Sequence, residues 1–285
     1  MQKYKEYLGL GIAGNFALHL AQAGELEEFK EIITADEAAP KGIFPFYLPA
    51  KKAEVPAGQR PKETLFTYPL SSNTIRLPKE QVNVQAEPEV GLVCELTYEG
   101  SHLASLTPTH FAPYNDCSIR VAGAEKISDK KNWGEESKGF GEKLIPIESF
   151  REGGEMDHYS ICSFLKRENR LHAYGEDVAL TGYSYFYGKL QEWITNQINT
   201  QKDFGPLEPI LEYIELANRP TKLIISIGAT RYTPYGESTF LQEGDEVIVA
   251  LYDNRLHTVE QLKESLLQGE YEQNGLSILA QKVTI

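Results

Sequence analysis

The sequence predicts an α+β protein that is mainly β. Short segments of alternating or β-branched residues recur along the whole chain, separated by Gly, Pro, Asn and Ser turn signals. Helical spacing of apolar residues is confined to a few segments. With 285 residues, the chain is long enough for one large core or two small ones.

The strands and helices follow from these two periodicities. Strands are predicted at 7–13, 42–49, 65–77, 85–93, 222–227, 246–252 and 276–285, with a hairpin at 159–173 that turns at 167–169. Helices are predicted at 14–32, 180–199, 207–217 and 257–268. The segment 51–62, rich in Pro, Gly, Lys and Glu, is predicted to be a loop.

The charge of the chain limits its partners. There are 28 basic and 41 acidic residues, a formal net charge of −13, which disfavours binding to nucleic acid or to an anionic membrane. No apolar run reaches the length of a membrane span. A small anionic substrate remains compatible with this charge if local cations surround it.

The cysteines favour a reducing, cytoplasmic location. They are odd in number, widely separated and without a C-x-x-C pattern, which predicts small buried side chains: Cys94, Cys117 and Cys162. The N-terminal run 8–23 resembles a secretory signal. However, Glu6 lies in what should be a basic segment, and Asn15 and His19 interrupt the apolar region.

Two glutamates separated by one residue are the first candidate site. In an extended segment the side chains alternate between faces, so Glu87 and Glu89 point the same way. Asp116 can supply a third carboxylate from a second strand or turn. Three carboxylates without thiol or imidazole favour Mg²⁺ or Mn²⁺ over Zn²⁺. The alternative is that the glutamates form only the solvated face of an edge strand.

The order of these residues resembles motifs of the fumarylacetoacetate hydrolase (FAH) superfamily. There, a Glu-x-Glu strand is followed by an aspartate in an (Asn/Leu)-Asp-x-(Ser/Thr)-Ala-Arg-Asp motif and then by a lysine. The matching segments here are Glu87-Pro88-Glu89, Asn115-Asp116-Cys117-Ser118-Ile119-Arg120 and Lys138-Gly139-Phe140. Ile119 and Val121 depart from the motif's alanine and last aspartate, but neither is a predicted ligand.

The resemblance implies an FAH-like mixed β-sandwich roll or barrel with a few peripheral helices. It implies one catalytic domain over residues 1–285, with an N-terminal strand and possible lid helix at 1–35, and a homodimer. The implied metal ligands are the three carboxylates, and the implied anion-holding cations are Lys138 and Arg120. A Gly-Thr loop that contacts substrate in the superfamily resembles Gly228-Ala229-Thr230, in which either Ala229 or Thr230 takes the place of the threonine; Gly228 and Thr230 are the candidates.

The proposed lid differs from the superfamily at one position. Gly14-Asn15-Phe16-Ala17-Leu18-His19 resembles a Gly-x-Asn-Tyr-x-x-His motif whose histidine activates water together with a glutamate three residues later. Gln22 takes that place here, so His19 is expected to be a weaker base. Gln22 itself becomes a candidate for substrate contact. Glu25 is too far along a helix to replace the glutamate.

Three lysines between the aspartate motif and Phe140 differ in their sequence context: Lys130, Lys131 and Lys138. Lys138 lies in the segment that resembles the superfamily, where a compact positive charge can hold a carboxylate or stabilise an enolate. Lys130 and Lys131 follow Asp129 and are predicted to lie in a solvated turn. Lys138 is therefore the catalytic candidate.

The implied function is that of a metal-dependent enzyme acting on a small keto- or diketo-acid. A metal-stabilised enolate would serve C–C bond hydrolysis, decarboxylation or tautomerisation. Hydrolysis is the least favoured of the three because Gln22 cannot help to activate water. One alternative is a catalytically degenerate FAH-like protein that binds metal or ligand, and another is an unrelated β-rich protein.

Overall fold

Two large β-sheets form most of the structure, a computed structural model that describes residues 1–17, 19–32, 34, 36–51 and 58–285. The described strands are β1 (Leu8–Ala13), β2 (Gly42–Tyr47), β3 (Leu70–Ser71), β4 (Thr74–Arg76), β5 (Asn83–Gln85), β6 (Pro88–Glu99), β7 (His102–Asn115), β8 (Ser118–Arg120), β9 (Lys138–Phe140), β10 (Ile145–Pro146), β11 (Tyr159–Arg167), β12 (Arg170–Ala179), β13 (Lys222–Ser226), β14 (Glu246–Asp253) and β15 (Leu276–Thr284). This is the mainly β, α+β class that the sequence predicts.

The two sheets pack against each other. The first has the strand order β2-β1-β13-β6-β7-β9-β3, with β10 added beside β7, and the second has the order β12-β11-β14-β15-β4. Strands β14 and β15 lie against β7, and β11 lies against β6. The main apolar core lies between the sheets and draws on residues from Leu8 to Val283. Both ends of the chain therefore contribute to one core.

The helices are short and peripheral. They are α1 (His19–Gln22), α2 (Ser128–Lys131), α3 (Tyr187–Thr200), α4 (Ile210–Leu216), α5 (Pro234–Ser238) and α6 (Val259–Gln268). Helix α3 buries Leu190, Ile194 and Ile198, the stripe expected from their spacing, and packs on β7 and β2. None of the described helices combines the length and the hydropathy that a membrane span requires.

Two helix predictions are wrong at their boundaries. Among its described residues, the segment 14–32 contains only α1 and a 3₁₀ turn at Leu26–Phe29, because Gly24 adopts a left-handed φ of +72° and ends the first turn. The helix predicted to start at 180 starts at Tyr187 instead, after a separate 3₁₀ turn at Leu180–Gly182. Half of the loop predicted at 51–62, residues 52–57, lies outside the described residues.

The long hairpin of β6 and β7 brings distant motifs together. The strands pair antiparallel from Pro88 opposite Asn115 to Glu99 opposite His102. The start of β6 therefore lies beside the end of β7, and the Asp116 N–H donates to the Glu87 carbonyl at 2.9 Å. The short pair β5 and β8 extends the same two chain segments. Glu87 and Asp116 are thus neighbours because of strand register.

Asn15 connects β1 to two other parts of the chain. Its buried amide donates to the carbonyls of Tyr185 and Ile227 at 3.0 and 2.9 Å, and its Oδ1 accepts from the Tyr185 N–H at 2.9 Å. Nearby Gly228 has a φ of +111°, and a Cβ there would meet the Asn15 Cβ at 2.9 Å. The asparagine therefore fixes the segment that follows β1 against the 227–228 turn.

Asn15→Ala is expected to lower the free energy of unfolding by about 2–4 kcal/mol, because it leaves three buried backbone groups without partners. Urea denaturation measures the loss. Asn196→Ala, at an exposed position of α3, is the control and should change the value by less than about 0.5 kcal/mol. Equal effects of the two substitutions would contradict the role given to Asn15.

Candidate metal centre

Three acidic side chains from the hairpin converge on one point. Glu89 lies in β6, Glu87 directly precedes β6, and Asp116 directly follows β7. One carboxylate oxygen from each lies within 4.8 Å of the others. The three residues are at most 2% exposed. The alternative of a solvated edge-strand face is therefore wrong.

Three basic side chains surround the carboxylates. Lys131 Nζ lies 2.6 Å from Glu87 Oε2 and 2.6 Å from Asp116 Oδ2. Lys138 Nζ lies 2.6 Å from Asp116 Oδ1 and donates to the Cys117 carbonyl at 3.1 Å. Arg120 Nη2 lies 2.8 Å from Glu87 Oε1. Three carboxyl groups and three basic groups thus share a buried volume, and the ion pairs run to Glu87 and Asp116.

The carboxylate oxygens keep unused acceptor capacity. Within the described residues, Glu87 Oε1 and both oxygens of Asp116 accept no hydrogen bond of good geometry, although cationic groups lie close to them. Buried oxygens normally have such partners. A carboxylate oxygen has more than one lone pair, so it can contact a cation beside its ion pair, and hard oxygen donors match the preference of Mg²⁺ or Mn²⁺. The residues present therefore fit a hard divalent cation.

The two glutamates differ in their electrostatic environment. Burial raises the pKa of Glu87, but the closer effects of Lys131 and Arg120 outweigh it and hold the pKa well below its usual range. Burial and the neighbouring Asp116 raise the pKa of Glu89 well above its usual range. Glu89 also accepts a hydrogen bond from the Gly228 N–H at 2.9 Å. Glu87 is therefore held as an anion, whereas the neutral form of Glu89 is favoured.

His19, the first residue of α1, lies close enough to Glu87, Arg120 and Lys131 for their charges to act on its imidazole. Its Nδ1 lies 2.9 Å from the Thr230 carbonyl, which can only accept, so Nδ1 carries the proton and Nε2 has a free lone pair. Burial lowers the pKa of the imidazole, although the nearby Glu87 carboxylate opposes this. A neutral histidine with Nε2 available as an acceptor is suited to take up a proton.

Gln22 joins α1 to the backbone of Tyr232. Its Oε1 accepts from the Tyr232 N–H at 2.9 Å, and its Nε2 donates to the Tyr232 carbonyl at 3.1 Å. The Tyr232 hydroxyl donates to the Ala86 carbonyl and accepts from Arg120. The amide thus pairs with the backbone as a neighbouring strand would. A glutamate could not make the second of these bonds.

An outer layer of charges contradicts two expectations from the sequence. Lys130 and Lys131 are both buried, so the solvated turn predicted for them is wrong. Lys130 Nζ lies 2.8 Å from both Glu25 and Glu28, and Arg120 Nη1 lies 2.8 Å from Glu25. Helix spacing predicts that Glu25 is too distant, but it contacts Arg120 and Lys130 because α1 ends at Gln22, before it. Helical periodicity gave no signal for these contacts.

The predicted substrate-binding residues lie at the centre but already have protein partners. Arg120 contacts Glu25, Glu87, Gln85 and Tyr232. The Thr230 N–H donates to the Pro88 carbonyl at 3.1 Å. The Gly228 N–H is used by Glu89, and Lys138 by Asp116. Substrate contacts by Arg120, Gly228, Thr230, Gln22 and Lys138 therefore stay predictions.

The fold defines the class of protein. The chain has the fold of the fumarylacetoacetate hydrolase superfamily, as its resemblance in sequence implies. More particularly, it belongs to a family of unknown function, DUF5718, whose profile matches residues 25–283. No curated protein matches the sequence.

Solved structures with similar folds share little sequence with the chain. Cg1458, solved with an inhibitor, has 15% identity and a TM-score of 0.56 over 97% of this chain and 76% of its own. An uncharacterised protein from Mycobacterium abscessus has 12% identity and a TM-score of 0.52 over 97% and 78%. The 5-carboxymethyl-2-hydroxymuconate delta-isomerase from Mycobacterium smegmatis has 12% identity and a TM-score of 0.51 over 97% of this chain and 78% of its own. These likenesses establish the fold.

Glu87→Gln and Glu89→Gln should have different effects on the metal-free protein. Glu87→Gln removes one of the two carboxylates that each of Lys131 and Arg120 contacts and should lower the free energy of unfolding by about 3 kcal/mol. Glu89→Gln should leave it unchanged or raise it, because a neutral amide can still accept the Gly228 hydrogen bond. Urea denaturation after EDTA treatment measures both values. A greater loss for Glu89→Gln would contradict the charge states assigned here.

The same pair predicts a pH dependence. A carboxyl whose pKa is raised by folding stabilises the folded state only while it is protonated. The stability contributed by Glu89 should therefore fall as the pH rises from the ordinary pKa of a glutamate towards its raised value. In EDTA-treated Glu89→Gln that fall should be absent, and its persistence would exclude Glu89 as the cause.

Gln22→Glu should loosen the segment 19–29, the predicted lid. A carboxylate loses the bond to the Tyr232 carbonyl and places two acceptor oxygens against each other, so amide exchange over 19–29 should accelerate by about tenfold. Hydrogen exchange with mass spectrometry measures this, with β13 as an internal reference expected to stay unchanged. Unchanged protection of the lid would show that Gln22 does not hold it.

Proposed function

We propose that the protein is a divalent-metal-dependent enzyme that acts on a small keto- or diketo-acid. The observation that carries the proposal is the convergence of Glu87, Glu89 and Asp116 within 4.8 Å in a buried site. Hard oxygen donors of this kind suit Mg²⁺ or Mn²⁺. A bound cation would supply Lewis-acid polarisation of a substrate carbonyl.

The chain's own groups would perform three tasks. Glu87, Glu89 and Asp116 would hold the cation. His19 Nε2 would accept or return a proton at a carbon next to the carbonyl, because its Nδ1 is fixed on Thr230. Lys138 would place a positive charge near the developing negative charge on the substrate. The closed lid would exclude bulk water during these steps.

Decarboxylation or tautomerisation is favoured over hydrolysis. Hydrolysis needs an activated water, and Gln22 has no charge with which to support His19 as a base. Both of its amide groups are also used by the Tyr232 backbone. The similar fold of a delta-isomerase supports an isomerisation among the reactions to test first.

A second candidate function is ligand binding without catalysis. It is favoured by the contacts of Arg120 and Lys138, which are already paired with carboxylates of the chain. In that case metal and keto acid would raise the melting temperature by binding linkage, and no product would form. Product formation separates the two functions.

We also propose a cytoplasmic location and a homodimer. The three cysteines of the chain are free and buried, which supports a reducing compartment. The net charge of −13 supports a small-molecule partner over nucleic acid or an anionic membrane. The homodimer rests on analogy with the superfamily.

Purified protein should turn over oxaloacetate or an acylpyruvate in the presence of Mg²⁺ or Mn²⁺, and EDTA should stop the reaction. Glu89→Ala should reduce kcat/KM by about a thousandfold or more, because it removes one of three proposed ligands. Glu95→Ala is the matched control, since this carboxylate lies in the same strand but is exposed. A coupled spectrophotometric assay measures product.

Two outcomes would contradict the proposal. Full turnover by Glu89→Ala would exclude the carboxylates as metal ligands for the reaction. Absence of product with every keto acid, together with a metal-dependent rise in melting temperature, would favour the binding function.

A further inference from the structure

Lys131 occupies an unusual place in the candidate centre. It lies at the end of α2 and is 3% exposed. Its Nζ is 2.6 Å from Glu87 Oε2 and 2.6 Å from Asp116 Oδ2, so one ammonium group bridges two of the three carboxylates. Each of these residues is a proposed metal ligand. The lysine therefore provides the positive charge that a metal would provide.

The other cations of the centre are placed differently. Lys138 contacts Asp116 and the Cys117 carbonyl. Arg120 contacts Glu87, and it also contacts Glu25 and the Tyr232 hydroxyl. Neither bridges two members of the carboxylate group. Lys130 contacts Glu25 and Glu28 and has no ion pair with the three carboxylates. Among the described basic residues, Lys131 alone bridges the carboxylates.

A divalent cation and this ammonium group would compete for the same oxygens. Like charges a few ångströms apart repel strongly in a buried site. The Nζ of Lys131 also lies over the Phe44 ring, 5.3 Å from its centre. This cation–π contact stabilises the ammonium group beside the carboxylates. The ammonium group thus has a second stabilising contact close to its present position.

We propose that Lys131 is a built-in competitor for the divalent cation. Its ammonium group neutralises Glu87 and Asp116 in the metal-free protein and must move away when a metal binds. The inference rests on the proposed metal-dependent function. It predicts that Lys131 weakens metal binding while it stabilises the metal-free fold.

Titration of Mn²⁺ into the EDTA-treated full-length chain tests the proposal, with calorimetry and electron paramagnetic resonance as readouts. Lys131→Met should bind Mn²⁺ about tenfold to a hundredfold more tightly than the wild type. Lys131→Arg keeps the charge and should bind no more tightly than the wild type. Lys130→Met removes a neighbouring buried lysine without touching the three carboxylates and should not show the tighter binding.

Stability provides a second readout. Without metal, Lys131→Met should melt at a lower temperature than the wild type because Glu87 and Asp116 lose their shared counterion. Mn²⁺ should raise its melting temperature more than that of the wild type. If Lys131→Met does not fold without metal, purification in Mn²⁺ and the milder Lys131→Gln take its place. Failure of both variants to fold in Mn²⁺ would contradict the proposal.

The outcomes separate this inference from the proposed function. Equal Mn²⁺ affinity of the wild type and Lys131→Met would overturn the role of Lys131 and leave the metal-dependent function standing. Binding by Lys131→Met alone would support the competition and exclude metal dependence for the natural chain. Absence of binding by both would overturn both ideas.

Discussion

The structure depends on the burial of three carboxylates with three positive side chains. Carboxylates within 4.8 Å of each other in a nearly inaccessible volume would repel strongly without compensation. Lys131, Lys138 and Arg120 compensate Glu87 and Asp116 at 2.6–2.8 Å, whereas Glu89 avoids the repulsion because its neutral form is favoured. These cations come from the chain segment that follows β7, so the charge balance also fixes that segment against the sheet.

The centre connects elements that are far apart in the sequence. Glu89 accepts a hydrogen bond from Gly228 after β13, and His19 of α1 bonds to the Thr230 carbonyl in the same connection. Asn15 fixes the segment that follows β1 to the 227–228 turn. The sheet, the segment that carries α1 and this turn therefore meet at one position. A change in any of these contacts should alter the positions of the carboxylates.

Sequence reasoning could predict the features that depend on local pattern. Side-chain alternation gives the shared direction of Glu87 and Glu89, and strand periodicity gives most sheet segments. It could not place Lys131, because no local pattern reports which carboxylates a lysine fifteen positions after Asp116 will reach. The helix predicted at 14–32 is wrong because Gly24 ends the turn, and the same turn brings Glu25 to Arg120. Propensity alone does not resolve such a break.

Gln22 stands where the resemblance implies a glutamate that supports the histidine, and its amide makes a structural contact instead. An amide carries both a donor and an acceptor, so it pairs with the N–H and the carbonyl of Tyr232 as a strand would. A carboxylate has only acceptors and could satisfy one of these groups. Gln22 carries no charge that could support His19 as a base, and it joins α1 to the backbone of Tyr232 instead. Because α1 also carries His19, this pairing helps to fix the imidazole relative to the connection that follows β13.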